Sequence, residues 1–562
     1  MSKMRSLFMC LTALIIWGGM NAQVPMWMWA NGAGGSGNDT CTDVVCDSLG
    51  NLYVTGSFQG SAGFGDDIAT SQGDYDIFVA KLDTEGDWEW VATAGGFGSD
   101  SGIALTLDGE GNLYAAGGFS ASAFFGSTTL TSVGNQDVFV AKLDTDGNWL
   151  WAKRAGWTGY DIAYEIDTDP QGNVYITGWF TNSGEFGDIF IIGGGNEDMY
   201  LAKLDSYGNW LWAINAPGAD FGSALGLCLS ETGYAYVSGS FMGSVQFGGT
   251  NLTSAGSKDI FIAKSDNQGN WLWAKQAGAT GEDYGYGIVT DQDSHVLLTG
   301  VFQEYAIFGQ IPLAGNGSYE GYVAKTDSLG NWLWAQSMGG SGLDCGYGVC
   351  LDDAANCFVT GFYSGSAEFG DVTLTSLGGW DVYIAKLSSN GIWNWVKSAG
   401  GPNSDCSWDI VQDRNANSYI GGYFQGSFGF DGLSMDGAGG LDAFVAVLSA
   451  EVDADDPVNV PALDPVSLSA TPNPSRGFCE LQAKPASAGS PIVFRQAQLE
   501  IYDIKGRKLR SLMTSPGSSG ELGAVWDGRD SMGKPCPNGI YLVRLSEHGT
   551  TLGEAKLTLL RS

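Results

Sequence analysis

The sequence predicts an all-β chain, with a seven-bladed β-propeller of 61-residue repeats followed by a small Ig-like β-sandwich. Three observations predict it. A motif of the form D-x-F-V-A-K begins at Asp76, Asp137, Asp198, Asp259, Glu320, Asp381 and Asp442, each 61 residues from the last. A W-x-W motif keeps the same period in seven copies, from Trp27 and Trp29 to Trp393 and Trp395. Composition agrees: 86 Gly, 12 % aromatic and only 16 % charged residues in a chain of 562 describe many short strands joined by Gly-rich turns.

Residues 1–22 read as a signal peptide. Lys3 and Arg5 precede an apolar stretch from Leu7 to Trp17, and Met20, Asn21 and Ala22 form a small-residue cleavage pattern. Export to the cell surface or the medium is expected. The stretch is too short to span a membrane and no other run of 18 apolar residues occurs, so no membrane span is expected.

Residues 25–449 carry the repeats. Each unit reads as four strands: A, ending near Asp47, Asp108 or Asp169; B, containing "NLYVTG"; C, containing "DVFVAKL"; and D, containing "NWLWA". Glycines from Gly56 to Gly422 stay in register in B, and a Phe-Gly pair recurs from Phe64 to Phe369, with Phe430 followed by Asp431 in the last copy. Segments such as "DTDGN" supply turns. A lone D strand, "MWMWA", precedes the first full unit, while the last unit stops after its C strand, "DAFVAVL". Together they complete one blade, so the ring is expected to close and leave no open edges; an open solenoid is the competing reading. The tryptophan pairs suit the space between sheets.

Repeats of the form "GNLYVTGSF" and "DVFVAKLDTDGNWLWA" resemble the bacterial SBBP β-propeller repeats over residues 25–449. That resemblance implies the fold and an exported or surface location, and no single activity.

Residues 450–467 are acidic and Pro-bearing and read as a linker. Residues 468–562 alternate like the strands of a small antiparallel sandwich. They resemble the type A sorting domain of type IX secretion, mixed with the FlgD-type Ig-like domain. The matching residues are Pro472, Asn473, Pro474 and Gly477, then Tyr502, Asp503 and Gly506, then Trp526, Asp527, Gly528, Gly539, Tyr541, Lys556 and Leu557. The resemblance implies a recognition tag for the type IX secretion machinery; a plain accessory sandwich is the alternative.

The net charge of -36 excludes several partners. Residues 468–562 hold 12 Lys or Arg against 8 Asp or Glu, so the acid lies in the repeats and linker, which repel nucleic acid and anionic lipid. The nine cysteines after the leader are an odd number. Cys479 and Cys536 could pair, and Cys345 and Cys406 hold equivalent places in neighbouring repeats; buried thiols are the other reading. No C-x-x-C spacing suggests zinc, and His295 and His548 are the only histidines, neither with an evident partner set for a catalytic triad or a His-rich metal site. No cofactor is expected beyond weak Ca²⁺ binding at turn acids such as Asp144 and Asp146. Lys142, Lys203, Lys264, Lys325 and Lys386 are expected to answer some of these acids at the surface.

The candidate channel-side acids are Asp39, Asp100, Asp161, Asp283, Asp344 and Asp405, which share one repeat position ahead of strand A. Paired carboxylates hydrolyse glycosides, but one residue type repeated around a ring also suits a strand cap. Tyr164, Tyr286, Tyr347 and Trp408 stand where other repeats have Thr42, Ile103 or Leu225. Stacking on sugar and packing beside Ile166, Ile288, Val349 and Ile410 are the two readings there. Trp157 and Trp380, in Gly-rich loops, are surface stacking candidates. The expected function is non-enzymatic binding of a glycan or protein ligand through repeated shallow sites. The rivals are a polysaccharide-acting hydrolase or lyase using channel carboxylates, and a purely structural surface protein.

Overall fold

A computed structural model describes residues 25–450 and, beyond them, 466–471, 479–485, 498–503, 507–512, 515–516, 522–531, 533–537, 539–547 and 550–559. The predicted signal peptide, most of the predicted linker and His548 lie outside the described residues. The chain divides into two compact units, Met1–Val452 and Asp453–Ser562.

Strand alternation puts one set of side chains against each neighbouring sheet, and the first unit is all-β for that reason. Its first full repeat runs Thr40–Cys46, Leu52–Phe64, Asp67–Leu82 and Trp88–Gly96, each strand antiparallel to the next. The same A, B, C, D pairing recurs along the described residues, as in Ser101–Leu107, Leu113–Phe119, Asp137–Leu143 and Trp149–Ala155, and short pairings such as Gly34 with Gly63 join some of these units into larger sheets. In the last unit, Cys406–Gln412, Ser418–Phe424 and Asp442–Leu448 are completed by Trp27–Gly35, with Trp27 opposite Leu448 and Ala33 opposite Ala443. Each A strand touches the A strand of the next repeat, and Cys406–Gln412 touches Thr40–Cys46, which makes the order cyclic. The architecture is a propeller.

The core lies between sheets. Tyr53, Ile77 and Val79 of one repeat bury against Leu113, Ala115 and Phe139 of the next. Tryptophans of one W-x-W can staple the sheets in opposite directions: Trp149 Nε1 donates back to the Thr93 carbonyl (3.0 Å), and Trp151 Nε1 donates forward to the Ser206 carbonyl (3.3 Å), whereas Trp27 Nε1 and Trp88 Nε1 are buried without such a bond. The Phe of each Phe-Gly pair sets its edge against the first tryptophan, as in Phe64–Trp88 (5.3 Å) and Phe369–Trp393 (5.5 Å). Phe430 finds that partner in Trp27, at 4.9 Å. The turn glycine Gly147 is dictated twice, by φ of +80° and by the Trp90 ring, 2.9 Å from where a Cβ would sit.

Three sequence expectations need adjustment. Between strands B and C the Phe-Gly pair sits on an additional hairpin, such as Ser122–Phe125 with Thr128–Thr131. The recurring lysines pair with acids below the surface rather than at it: Lys203 reaches Asp169 at 3.1 Å and Lys325 reaches Asp291 at 3.0 Å, all of them nearly buried. Lys264 faces a repeat with Ser230 in the acid's place and lies over the rings of Tyr234 and Tyr236, where burial lowers its pKa. All nine described cysteines, Cys345, Cys406, Cys479 and Cys536 among them, are free thiols.

The second unit contains two four-stranded antiparallel sheets. Cys479, Leu481, Leu499, Ile501, Trp526, Val543, Leu545 and Leu559 fill its core. Trp526 meets Tyr541 edge-on at 5.1 Å, and the Tyr541 hydroxyl donates to the Pro537 carbonyl. Among the described residues no helix is long and apolar enough to cross a membrane.

Candidate axial cavity

All seven A strands carry a register shift at one repeat position, for example between Cys41 and Asp43, Ala163 and Glu165, and Ser407 and Asp409. A bulge adds one residue to the strand and re-aims its side chain. The added residues are Thr42, Ile103, Tyr164, Leu225, Tyr286, Tyr347 and Trp408. Every one of them lines a cavity of about 860 Å³ enclosed by the A strands. The aromatic break in symmetry is thus a property of the axial wall.

The wall is two-sided. From the fifth to the seventh sheet, Tyr284 stacks on Tyr286 (6.1 Å, 5°), Tyr286 meets Tyr347 (4.8 Å, 47°) and Tyr347 meets Trp408 (6.4 Å, 59°). The first, second and fourth sheets instead present hydroxyls, from Thr40, Thr42, Ser57, Ser99, Ser101, Ser223 and Ser240. At the rim Glu282 accepts hydrogen bonds from the hydroxyls of Tyr284 (3.1 Å) and Tyr319 (3.0 Å).

One position beyond the bulge the repeats diverge again. Asp43, Glu165 and Asp409 stand where the others have Ala104, Gly226, Gly287 and Gly348, and all three line the cavity. Asp43 Oδ2 accepts the N–H of Leu105 at 2.6 Å and Asp409 Oδ2 that of Val44 at 3.3 Å, so each braces the next A strand. Burial raises the pKa of Asp43, helped by the neighbouring Asp409 and Glu165 carboxylates. Burial likewise raises Glu165 and Asp409. The two carboxyls of Asp43 and Asp409 are neighbours, and their interaction raises Asp43 further while pulling against the rise of Asp409. Gly348 is required by close approach: a Cβ there would come within 2.7 Å of Asp409 Cα.

These three acids escaped the sequence reading, which sought a residue kept in every repeat. Their signal was the opposite, an acid in three repeats where four have Ala or Gly.

The acids singled out from sequence lie elsewhere. Asp39, Asp100, Asp161, Asp283, Asp344 and Asp405 are almost fully buried, and none lines the cavity. One oxygen of each accepts a strand-B N–H twenty residues on, as from Gln59 to Asp39 or Gln303 to Asp283. In five of the six, the other accepts an N–H four residues back. They are caps tying strand D of one sheet to strand B of the next. Burial pushes Asp283 up to about 7 against the pull of those N–H donors.

Trp157 is partly exposed and packs edge-on against Phe190 at 6.0 Å, outside the cavity. Trp380 is stacked on Phe362 at 4.5 Å, so its face is already covered. Asp144 Oδ1 accepts the N–H groups of Asp146 and Asn148, which organises the turn. Among the described residues no group of three His, Cys, Asp or Glu side chains is arranged to hold a metal ion. In the second unit Asp503 pairs with Tyr541, Gly539 with Leu559 and Lys556 with Leu542; Pro472, Asn473, Pro474, Gly477 and Gly506 lie outside the described residues.

Known proteins give partial matches to this chain. An uncharacterized WD repeat-containing protein of Acanthamoeba polyphaga mimivirus is 22 % identical over 438 residues, 60 % of this chain and 31 % of that protein. The regulatory protein FlaEY of Caulobacter vibrioides is 26 % identical over 290 residues, 47 % of this chain and 29 % of its own. The chain therefore spans about a third of the length of the curated relatives it matches. Among solved structures, PorZ, an essential surface component of the type IX secretion system of Porphyromonas gingivalis, aligns with 12 % identity over 94 % of this chain and 75 % of PorZ, at a TM-score of 0.33. The polysaccharide lyase Uly1 aligns with 9 % identity over 73 % of this chain and 89 % of its own, at 0.35. At the other end of the chain, residues 484–550 match the family model of the FlgD Ig-like domain.

Proposed function

We propose that this chain is an exported binding protein of the cell surface or medium, whose propeller captures a glycan or protein ligand in its axial cavity. The carrying observation is the bulge in every A strand, which turns seven side chains of unlike chemistry onto one cavity. One asymmetric axial site replaces the repeated shallow sites expected from the sequence. Caps that spend their oxygens on backbone N–H groups, and cavity acids that brace neighbouring strands, favour binding over hydrolysis. The seven sheets are read as seven blades of SBBP type, and the C-terminal sandwich as the address read by the type IX secretion machinery. The basic leader of residues 1–22, the sorting-type motifs and the FlgD Ig-like match support that address. Removal of residues 468–562 is expected to hold the chain inside the outer membrane, measured by fractionating cells of the native host; unchanged delivery would remove the address.

The cavity reading is tested by filling it. Ile103 and Leu225 occupy the bulge position that already accepts Trp408 in another repeat, so Ile103→Trp with Leu225→Trp keeps the backbone and fills the space. A ligand found by glycan and protein array screening of the full chain is expected to bind this variant at least tenfold more weakly. Unchanged binding would place the site elsewhere. Turnover of the ligand that disappears in Asp43→Asn or Glu165→Gln would make the protein a hydrolase or lyase.

A further inference from the structure

We infer that the axial cavity takes an uncharged saccharide, held by its ring faces on Tyr286, Tyr347 and Trp408 and by its hydroxyl groups on the serine and threonine side chains opposite. This rests on the cavity being the binding site, and it assigns the ligand's chemistry.

Size comes first. A space of about 860 Å³ lies within the roughly 300–1,000 Å³ range of small-ligand sites, enough for a short oligosaccharide. The aromatic side has the right form. Successive rings are turned by 47° and 59°, close to the roughly 51° that separates neighbouring blades of a sevenfold ring. The three rings touch in succession, at 4.8 and 6.4 Å, and form one contiguous aromatic stretch of the cavity wall. Such a wall packs against the C–H face of a sugar ring, an apolar surface with polar edges.

The opposite side answers those edges. Thr40, Thr42, Ser57, Ser99 and Ser101 come from two adjacent sheets, with Ser223 from a third. A hydroxyl offers one donor and two acceptor lone pairs, so it matches either end of a sugar O–H. Thr42 illustrates the reserve: its hydroxyl lies within hydrogen-bonding distance of the Gly102 carbonyl (3.1 Å) while its lone pairs stay available. An extended peptide would instead need a run of free backbone N–H and C=O groups; the A strands pair with strand B on one edge, and on the other the N–H groups of Val44, Leu105 and Leu229 are already taken by Asp409, Asp43 and Asp167.

Charge selects within the saccharides. Among the described residues no Lys, Arg or His lines the cavity, so a uronate or sulfate group would enter without a cation to meet it. The cavity carboxylates are already engaged: Asp43 and Asp409 accept backbone N–H groups and Glu197 accepts the Ser223 hydroxyl. An ammonium group would have to compete with those donors to gain a partner. A neutral sugar needs neither adjustment.

The test uses the full chain at pH 7 and isothermal titration with three probes of similar length: cellohexaose, hexagalacturonate and the glucosamine hexamer. Cellohexaose, or maltohexaose as a second neutral probe, is expected to bind at least tenfold more tightly than either charged probe. Trp408→Ala and Tyr347→Ala are each expected to weaken it by about tenfold, while Trp408→Phe retains most affinity and shows that the fold survives. Trp157→Ala, outside the cavity, is expected to leave it unchanged. Preference for the anionic or the cationic hexamer overturns the inference. So does a failure of all sugars to bind while a protein ligand is still lost in the cavity-filled variant, an outcome that leaves the cavity reading standing. Sugar binding undisturbed by Ile103→Trp with Leu225→Trp overturns both.

Discussion

Removing residues 25–35 is expected to leave the propeller unfolded, and supplying them as a separate peptide is expected to restore it. Strand Trp27–Gly35 contributes six residue pairs to the ladder with Asp442–Leu448. It also delivers Trp27, 8 % exposed, into a cluster with Phe428, Phe430 and Phe444. One buried and one half-buried tryptophan at about 25 cal/mol per Å², with a ladder worth roughly 1 kcal/mol per hydrogen bond, give on the order of 10 kcal/mol as an upper bound. That is comparable to the whole stability of an ordinary domain, roughly 5–15 kcal/mol. The loss is also topological. Without the strand, Asp442–Leu448 becomes an open edge of apolar character, an invitation to aggregation. Urea unfolding followed by tryptophan fluorescence, with and without a synthetic peptide of residues 24–36, measures both effects. An unchanged midpoint in the truncated chain would mean that the ring does not depend on this strand.

Much of this fold was legible because the repeat writes each contact seven times. The tryptophan spacing predicted strand D and the partner of the lone "MWMWA" segment, and Phe430 against Trp27 is the same contact made elsewhere by Phe64 and Trp88. The additional hairpin between strands B and C was less legible. Its Phe-Gly pair recurs with the same period, but four-residue strands such as Ser122–Phe125 are too short for alternation to distinguish them from a loop. The lysines were misplaced for a similar reason. A Lys next to the apolar run of strand C reads as surface, whereas the Lys203 ammonium lies over the Tyr175 ring, donates to the Tyr175 hydroxyl and reaches Asp169 beneath the surface.

The site was less legible than the fold because the search for function favoured regularity. Asp39 and its five counterparts are regular because every sheet needs the same cap. Asp43, Glu165 and Asp409 are irregular because the cavity wall differs from sheet to sheet. The bulge itself leaves no mark in a single repeat: in "DIAYEIDT", nothing tells that Tyr164 is the residue counted twice until Ala163 and Glu165 are seen opposite neighbouring positions of strand B. Alternation therefore assigned Tyr164 to the face of Ile166, while the shift turns it toward the axis. Symmetry-breaking positions in a repeat protein are the ones to read for chemistry, and symmetry-keeping positions for architecture.

Stability is expected to rise as pH falls from 8 to 5, the reverse of ordinary acid denaturation. Burial pushes Asp161, Asp283 and Asp405 up to about 7 and Asp39, Asp100 and Asp344 up to about 6, while Glu320 reaches about 7. In the unfolded chain these groups return to roughly 4. Between those values the folded protein holds more protons than the unfolded one, so unfolding releases protons and stability falls as pH rises through the window. The contribution is complete below about pH 4 and is lost as pH passes 6 to 7. The backbone N–H donors to each cap favour the charged form and shrink the effect, leaving a few kcal/mol in total, about 5 °C in Tm for a unit of this size. The net charge of -36 acts in the same direction, since each proton bound relieves self-repulsion. Turn acids oppose it only at lower pH: hydrogen bonds from Asn148 and Asn209 overcome the smaller cost of burial and hold Asp144 and Asp205 below their usual range, so their contribution is lost below about pH 4. Calorimetry at pH 8, 7, 6 and 5 in 0.15 M salt therefore samples the caps together with the other buried acids that burial raises, Glu320, Asp167 and Asp381 among them, and proton uptake on refolding at pH 6 measures their sum. A Tm that drops steadily from pH 8 to 5 would mean that the N–H donors win, and that the caps are ionised throughout.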